Sequence, residues 1–94
     1  MLVWNEHRAE RADPAVAAIY PDGMHGAIAE SLRSLLPEAE VRTATLDDAG
    51  YGLGALAETD VLVWWGHRAH HELPHELAAA VRDAVCCGVG FVAL

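Results

Sequence analysis

Apolar residues fall along this chain in two rhythms, short unbroken runs and one-face helical spacing, and the two alternate. Leu2-Val3-Trp4 is a brief run that predicts a first strand. Asp13-Pro14 supplies an N-cap and a proline for the first helical position, so a helix is expected from Ala15 to Tyr20, where Pro21 stops it. Asp22-Gly23 is turn chemistry. From Met24 to Leu36 the residues Ile28, Leu32, Leu35 and Leu36 recur at i, i+4, i+7 and i+8, one face of a helix that ends at Pro37. Glu40 to Leu46 mixes Val41, Ala44 and Leu46 with Arg42, Thr43 and Thr45, and predicts a half-buried strand near a sheet edge. Asp47 to Gly54 reads as a loop, with a short helix across Leu53 to Glu58. Asp60 to Trp65 is an unbroken apolar run, which suits a strand covered on both faces. Pro74 opens a helix with Leu77, Val81 and Val85 on one face and Gly88 as its C′ residue. Val89 to Leu94 is a last apolar strand.

Strands alternating with helices predict βαβ units, a parallel sheet and right-handed crossovers. The expected fold class is α/β, a flavodoxin-like three-layer sandwich with strand order 2-1-3-4, built as one domain over residues 1–94. In that order the first and third strands are neighbours whose outgoing connections diverge to opposite faces. The crevice at their carboxyl ends, lined by Asn5-Glu6 and by Gly66-His67, is where such sheets place a binding site. The sheet closes on Val89-Gly90-Phe91-Val92-Ala93-Leu94, an apolar edge without a charge. Natural sheets avoid bare edges of that kind. The expectation is therefore a domain truncated after its fourth strand, or a homo-oligomer paired through that edge.

Charge narrows the partners. Fourteen acidic against six basic side chains give a formal net charge of −8. That balance disfavours nucleic acid, whose phosphates require a basic patch, and gives no support for docking on an anionic membrane. No apolar run approaches the roughly 20 residues of a spanning helix. Met1-Leu2-Val3-Trp4-Asn5-Glu6 lacks the basic leader and apolar stretch of a signal peptide. Cys86 and Cys87 are adjacent and offer no disulfide framework, so a reducing cytoplasm is the expected location. Their place at the end of a helix predicts structural burial rather than a nucleophile, which wants a helix N-terminus or a cationic neighbour.

Three blocks carry a resemblance: Val3-Trp4-Asn5-Glu6, Ile19-Tyr20-Pro21-Asp22-Gly23-Met24-His25-Gly26-Ala27-Ile28-Ala29, and Thr59-Asp60-Val61-Leu62-Val63-Trp64-Trp65-Gly66-His67 with His70. Together, in this order and over nearly the whole chain, they resemble the trehalose utilisation (ThuA-like) family. The resemblance implies the class I glutamine amidotransferase-like superfamily and its flavodoxin-like sandwich. It also implies a role in catabolism of trehalose or related disaccharides. Two features depart from the family. A histidine expected around Ala9 is replaced by His7, and the His- and Ser-containing turn expected after the strand ending at Leu94 is not among these residues. No Gly-x-Cys-x-Gly or Gly-x-Ser-x-Gly occurs either, which makes a hydrolase with a nucleophile elbow the weakest reading.

The chemistry gathers in Trp64-Trp65-Gly66-His67-Arg68-Ala69-His70-His71, since four of the six histidines lie between His67 and His75. His25, His67 and His70 or His71 suit a divalent metal such as zinc, with Glu6 as a further ligand. Alternatively they are solvated loop histidines bonded to backbone or to Glu72 and Glu76. Glu6 and His67 can form an acid/base pair across the crevice, or Asn5-Glu6 can simply cap a strand end. Trp64 and Trp65 should face opposite sides of the sheet. Trp65 and Tyr20 can serve as platforms under a sugar ring or as core packing, and Asn5 and Arg68 complete the expected substrate contacts. Arg8 and Arg68 can hold an anionic group or pair with Glu10 and Glu72. Gly50-Tyr51-Gly52-Leu53-Gly54 lacks the G-x-G-x-x-G spacing of a phosphate loop. Two functions stay open: a ThuA-like protein acting on a carbohydrate, and a non-catalytic binding or assembly module of the same fold.

Overall fold

A computed structural model describes residues 1–94. Four strands, β1 (Leu2–Asn5), β2 (Arg42–Thr45), β3 (Val61–Trp65) and β4 (Gly90–Ala93), form one sheet in the order β2-β1-β3-β4. Every pairing is parallel, and the central register sets Leu2 beside Leu62 and Trp4 beside Trp64. This is the expected α/β architecture and strand order.

The two-residue side-chain period of a strand divides the core into two layers. Leu2, Trp4, Ala44, Leu62 and Trp64 face one side, where Leu77, Val81 and Ala84 of helix α4 (His75–Cys86) cover them. Val3, Val41 and Val63 face the other side, under Ile28, Ala29 and Leu32 of helix α3 (Gly23–Leu35). Trp64 and Trp65 do part to opposite faces. Trp64 stacks on Trp4 with ring centroids 3.8 Å apart, and Trp4 donates its indole N–H to the carbonyl of Tyr51 at 2.8 Å. That carbonyl is aimed by a turn in which Gly50, Tyr51 and Gly52 all have positive φ. At Gly52 a Cβ would stand 2.6 Å from the Thr45 carbonyl, so only glycine fits.

Helix boundaries follow their predicted signals. The Asp13 side chain accepts the N–H of Ala15 at the start of α2 (Pro14–Ile19). Helix α4 ends in a Schellman motif: Val89 N–H bonds to the carbonyl of Ala84 and Gly88 N–H to that of Val85. Four details differ from expectation. Leu35 is 75 % exposed and Leu36 is open as well. A four-residue strand reaches about 13 Å while thirteen helical residues reach about 20 Å, so α3 is longer than the strands it covers. Ala84, rather than Val85, completes the packed stripe of α4. Cys86 and Cys87 are exposed, not buried, because the last turn of α4 extends beyond the Leu77-Val81-Ala84 contact. Finally, a one-turn helix α1 (Ala9–Ala12) has no apolar period to announce it, yet it buries Ala9 and Glu10.

No helix is long and apolar enough to cross a membrane. Strand β4 is exposed along its whole length, with Phe91, Val92 and Leu94 among the most open large apolar residues.

Candidate functional site

Strand β1 ends at buried Asn5 and is followed by buried Glu6, at the point where the connections of β1 and β3 diverge. Burial of such groups demands partners, and both have them. The carboxylate of Glu6, which is 1 % exposed, accepts three successive backbone N–H groups. Oε2 takes His67 (3.0 Å), Arg68 (3.0 Å) and Ala69 (2.8 Å), while Oε1 takes Arg68 again at 2.9 Å. Consecutive N–H groups converging in this way form an anion-binding nest, here filled by the protein's own side chain. His67 Nδ1 stands 3.6 Å from Glu6 Oε1, beyond a hydrogen bond, and the ring is largely open to solvent. The expected acid/base partners are thus neighbours, with the carboxylate already occupied as the anchor of the His67–Ala69 turn.

Asn5 organises a second cluster. Its Oδ1 accepts the N–H of His7 at 2.9 Å, and its Nδ2 lies 2.7 Å from Glu10 Oε1 and 3.1 Å from His25 Nδ1. Glu10 Oε1 also accepts the N–H of Met24, while its Oε2 is buried without a partner. Burial pushes the Glu10 carboxyl up, but the backbone bonds from Met24 and its own N–H and the bond from Asn5 outweigh that and leave it below the usual range. Burial first, and His7 second, push the His25 imidazole down from its ordinary 6.5. His7 sits with φ +52°, a left-handed conformation costly for a residue with a Cβ, and its ring meets His25 edge to face at 5.1 Å. The His25 ring lies against Gly23, where a Cβ would come within 2.4 Å of it.

The remaining expected residues separate. Tyr20 and Trp65 line one apolar cavity of about 260 Å³ with Met24, Ala27, Ile28 and Leu94. Trp65 also touches His67 edge to face, at 5.7 Å between centroids. A larger groove of about 560 Å³ runs outside, between the Tyr20–Gly23 turn and α3, and Tyr20 stands between the two. Arg68 is exposed and lines neither of them. Arg8 is a strut: it bonds Glu72 through Nε (3.2 Å) and Nη2 (2.7 Å), and Asp47 through Nη1 at 2.9 Å. These bonds raise the arginine's already high pKa and hold Glu72 and Asp47 below the usual carboxylate range. The Glu72 partnership matches one of the two expected for Arg8; Glu10 pairs with Asn5 instead.

His25, His67 and His70 do not come together, and no group of three His, Cys, Asp or Glu side chains is placed to hold a metal ion. His70 Nε2 accepts the Trp64 indole N–H at 3.2 Å, and His25 Nδ1 faces the Asn5 amide. A neutral imidazole has one lone pair, and at His70 the indole N–H already takes it.

Two participants, His7 and Glu10, escaped the sequence reading. His7 drew notice only as a departure from the family pattern, and Glu10 only as a local acid for arginine. Neither local spacing nor periodicity marks a carboxylate that is buried by the return of α3. No protein-family model matches the chain, and no curated protein matches it significantly.

Proposed function

We propose that the protein binds a small carbohydrate at the carboxyl ends of β1 and β3, in the ThuA-like role of trehalose or related disaccharide catabolism. The observation that carries this reading is the shared cavity of Tyr20 and Trp65, two aromatic residues from distant parts of the chain, with the His67 ring edge-on to Trp65. Sugars present apolar C–H faces to aromatic rings and hydroxyls to polar groups at their rim. At about 260 Å³ the cavity is small for a ligand site and suits one sugar ring, not a whole disaccharide. The second unit would lie outward, towards the open side chains of His67 and Arg68.

A non-catalytic binding module of the same fold is the second reading, favoured by one feature. Both oxygens of Glu6 are engaged by backbone N–H groups, so the nearest carboxylate to His67 is not free to move a proton. Titration with trehalose and single hexoses, followed by saturation-transfer NMR, tests the proposal. Saturable binding that weakens about tenfold or more in Trp65→Ala supports it, a loss of about 1.4 kcal/mol. No saturable response to any of these sugars, or binding indifferent to Trp65→Ala, refutes it. Release of free hexose from a bound disaccharide separates catalysis from binding alone.

A further inference from the structure

The hydrogen bonds around Asn5 fix a proton. An amide can be turned over without changing its shape, so its orientation must be read from partners whose roles are certain. Two such partners are present. The N–H of His7 can only donate, so the atom it meets is the oxygen of Asn5. The carboxylate of Glu10 accepts, held ionised by the bonds it receives, so the atom it meets is the amide nitrogen. That nitrogen carries two protons. One goes to Glu10, and the other points at His25 Nδ1, 3.1 Å away. Nδ1 must therefore offer a lone pair, and the single proton of the neutral ring sits on Nε2.

Nothing in the protein takes up that proton. His25 Nε2 has no hydrogen-bond partner, and it is not among the atoms sealed from solvent without one. The ring packs against Gly23 on one side and the His7 ring on the other. His7, Glu10, Asp22 and Asp48 are the charged or titratable groups acting on the ring.

The geometry points to Asn5 as a positioning residue that locks His25 in the Nε2–H form, making His25 a hydrogen-bond donor for an acceptor oxygen of the ligand. This deepens, and for its ligand rests on, the carbohydrate reading: His25 stands outside the lining of the Tyr20–Trp65 cavity, next to Met24 that lines it, and the atom taken is a hydroxyl, ring or glycosidic oxygen. It assigns Asn5, expected to touch substrate, to a place behind the contact. It also assigns to His25 the opposite polarity from that of a metal ligand.

Long-range ¹H–¹⁵N correlation on labelled, ligand-free protein reads the tautomer directly. The expected spectrum has His25 Nδ1 at the unprotonated position and Nε2 at the protonated one. The reverse assignment, or averaging between the two, overturns the inference without any variant. In Asn5→Ala the amide proton is gone, so the ring should lose its fixed tautomer and average between Nδ1–H and Nε2–H. A folded Asn5→Ala protein whose His25 stays wholly in the Nε2–H form removes the positioning role. A sugar that binds should shift the Nε2 resonance, and binding that leaves it still refutes the contact. Failure of every sugar to bind would sink the carbohydrate reading instead, while the ligand-free spectrum still decides the tautomer.

Discussion

Glu6 offers the sharpest separation between an anchor and a reactive acid. In Glu6→Ala three N–H groups lose their acceptor. Those of His67 and Arg68 belong to exposed residues, so water replaces the carboxylate at a cost of about 1 kcal/mol each. Ala69 is 2 % exposed, and its orphaned N–H adds about 1–3 kcal/mol. The total, about 3–5 kcal/mol, is a large share of the 5–15 kcal/mol that ordinarily holds a domain together. Glu6→Gln behaves differently. The amide oxygen can occupy the position of Oε2, keep all three N–H bonds, and leave the NH₂ facing Arg68's second, shared contact and, at 3.6 Å, His67 Nδ1. Its cost should be about 1–2 kcal/mol, mostly the lost charge. Urea denaturation measures both, and amide exchange at residues 67–69 localises the effect. Glu6→Ala within about 0.5 kcal/mol of the parent, or unchanged exchange at Ala69, would refute the reasoning.

Other perturbations probe the same neighbourhood. His25 has a depressed pKa in the folded state, so below its ordinary 6.5 the unfolded chain binds more protons. Stability should hold above that pH and decline as acidification proceeds towards the lower folded value. Thermal melts across that window should show the decline, and His25→Gln should reduce it. In Gly66→Ala the new methyl would stand 2.9 Å from His70 Nε2 and 3.0 Å from Trp64 Nε1. Separating that pair should cost about 1–3 kcal/mol by denaturation, and an unchanged midpoint would show that the bond is dispensable. Homo-oligomerisation through β4 is the expected use of an edge exposed from Gly90 to Ala93. Sedimentation should then show a concentration-dependent larger species that Phe91→Lys abolishes, and a monomer at every concentration would count against it.

The sheet was legible because its signals are local. An unbroken apolar run at Val61–Trp65, a half-polar one at Arg42–Thr45, and capped amphipathic helices between them leave few parallel arrangements, and the switch point between β1 and β3 follows from the order. Asn5, Glu6, His25, His67 and Trp65 were placed near that point for the same reason. What they do there was not legible. Glu6 and His67 suggest proton transfer by type and position, but the carboxylate's partners are backbone N–H groups sixty residues away. The three histidines suggest a metal by spacing, but Trp64 and Asn5 take the lone pairs of His70 and His25. Glu10 lies in Ala9-Glu10-Arg11-Ala12, a stretch with no amphipathic pattern, and only the approach of Met24 makes it a buried acid.

The stack of Trp4 on Trp64, at 3.8 Å and 15° between planes, has an optical consequence. Two indoles this close couple their excited states, so the far-ultraviolet circular dichroism should carry an exciton couplet on top of the helical signal. Because these residues are register partners across β1 and β3, and a slip of one residue sends a side chain to the other face, the couplet is an intrinsic reporter of whether the two central strands have met in the right alignment.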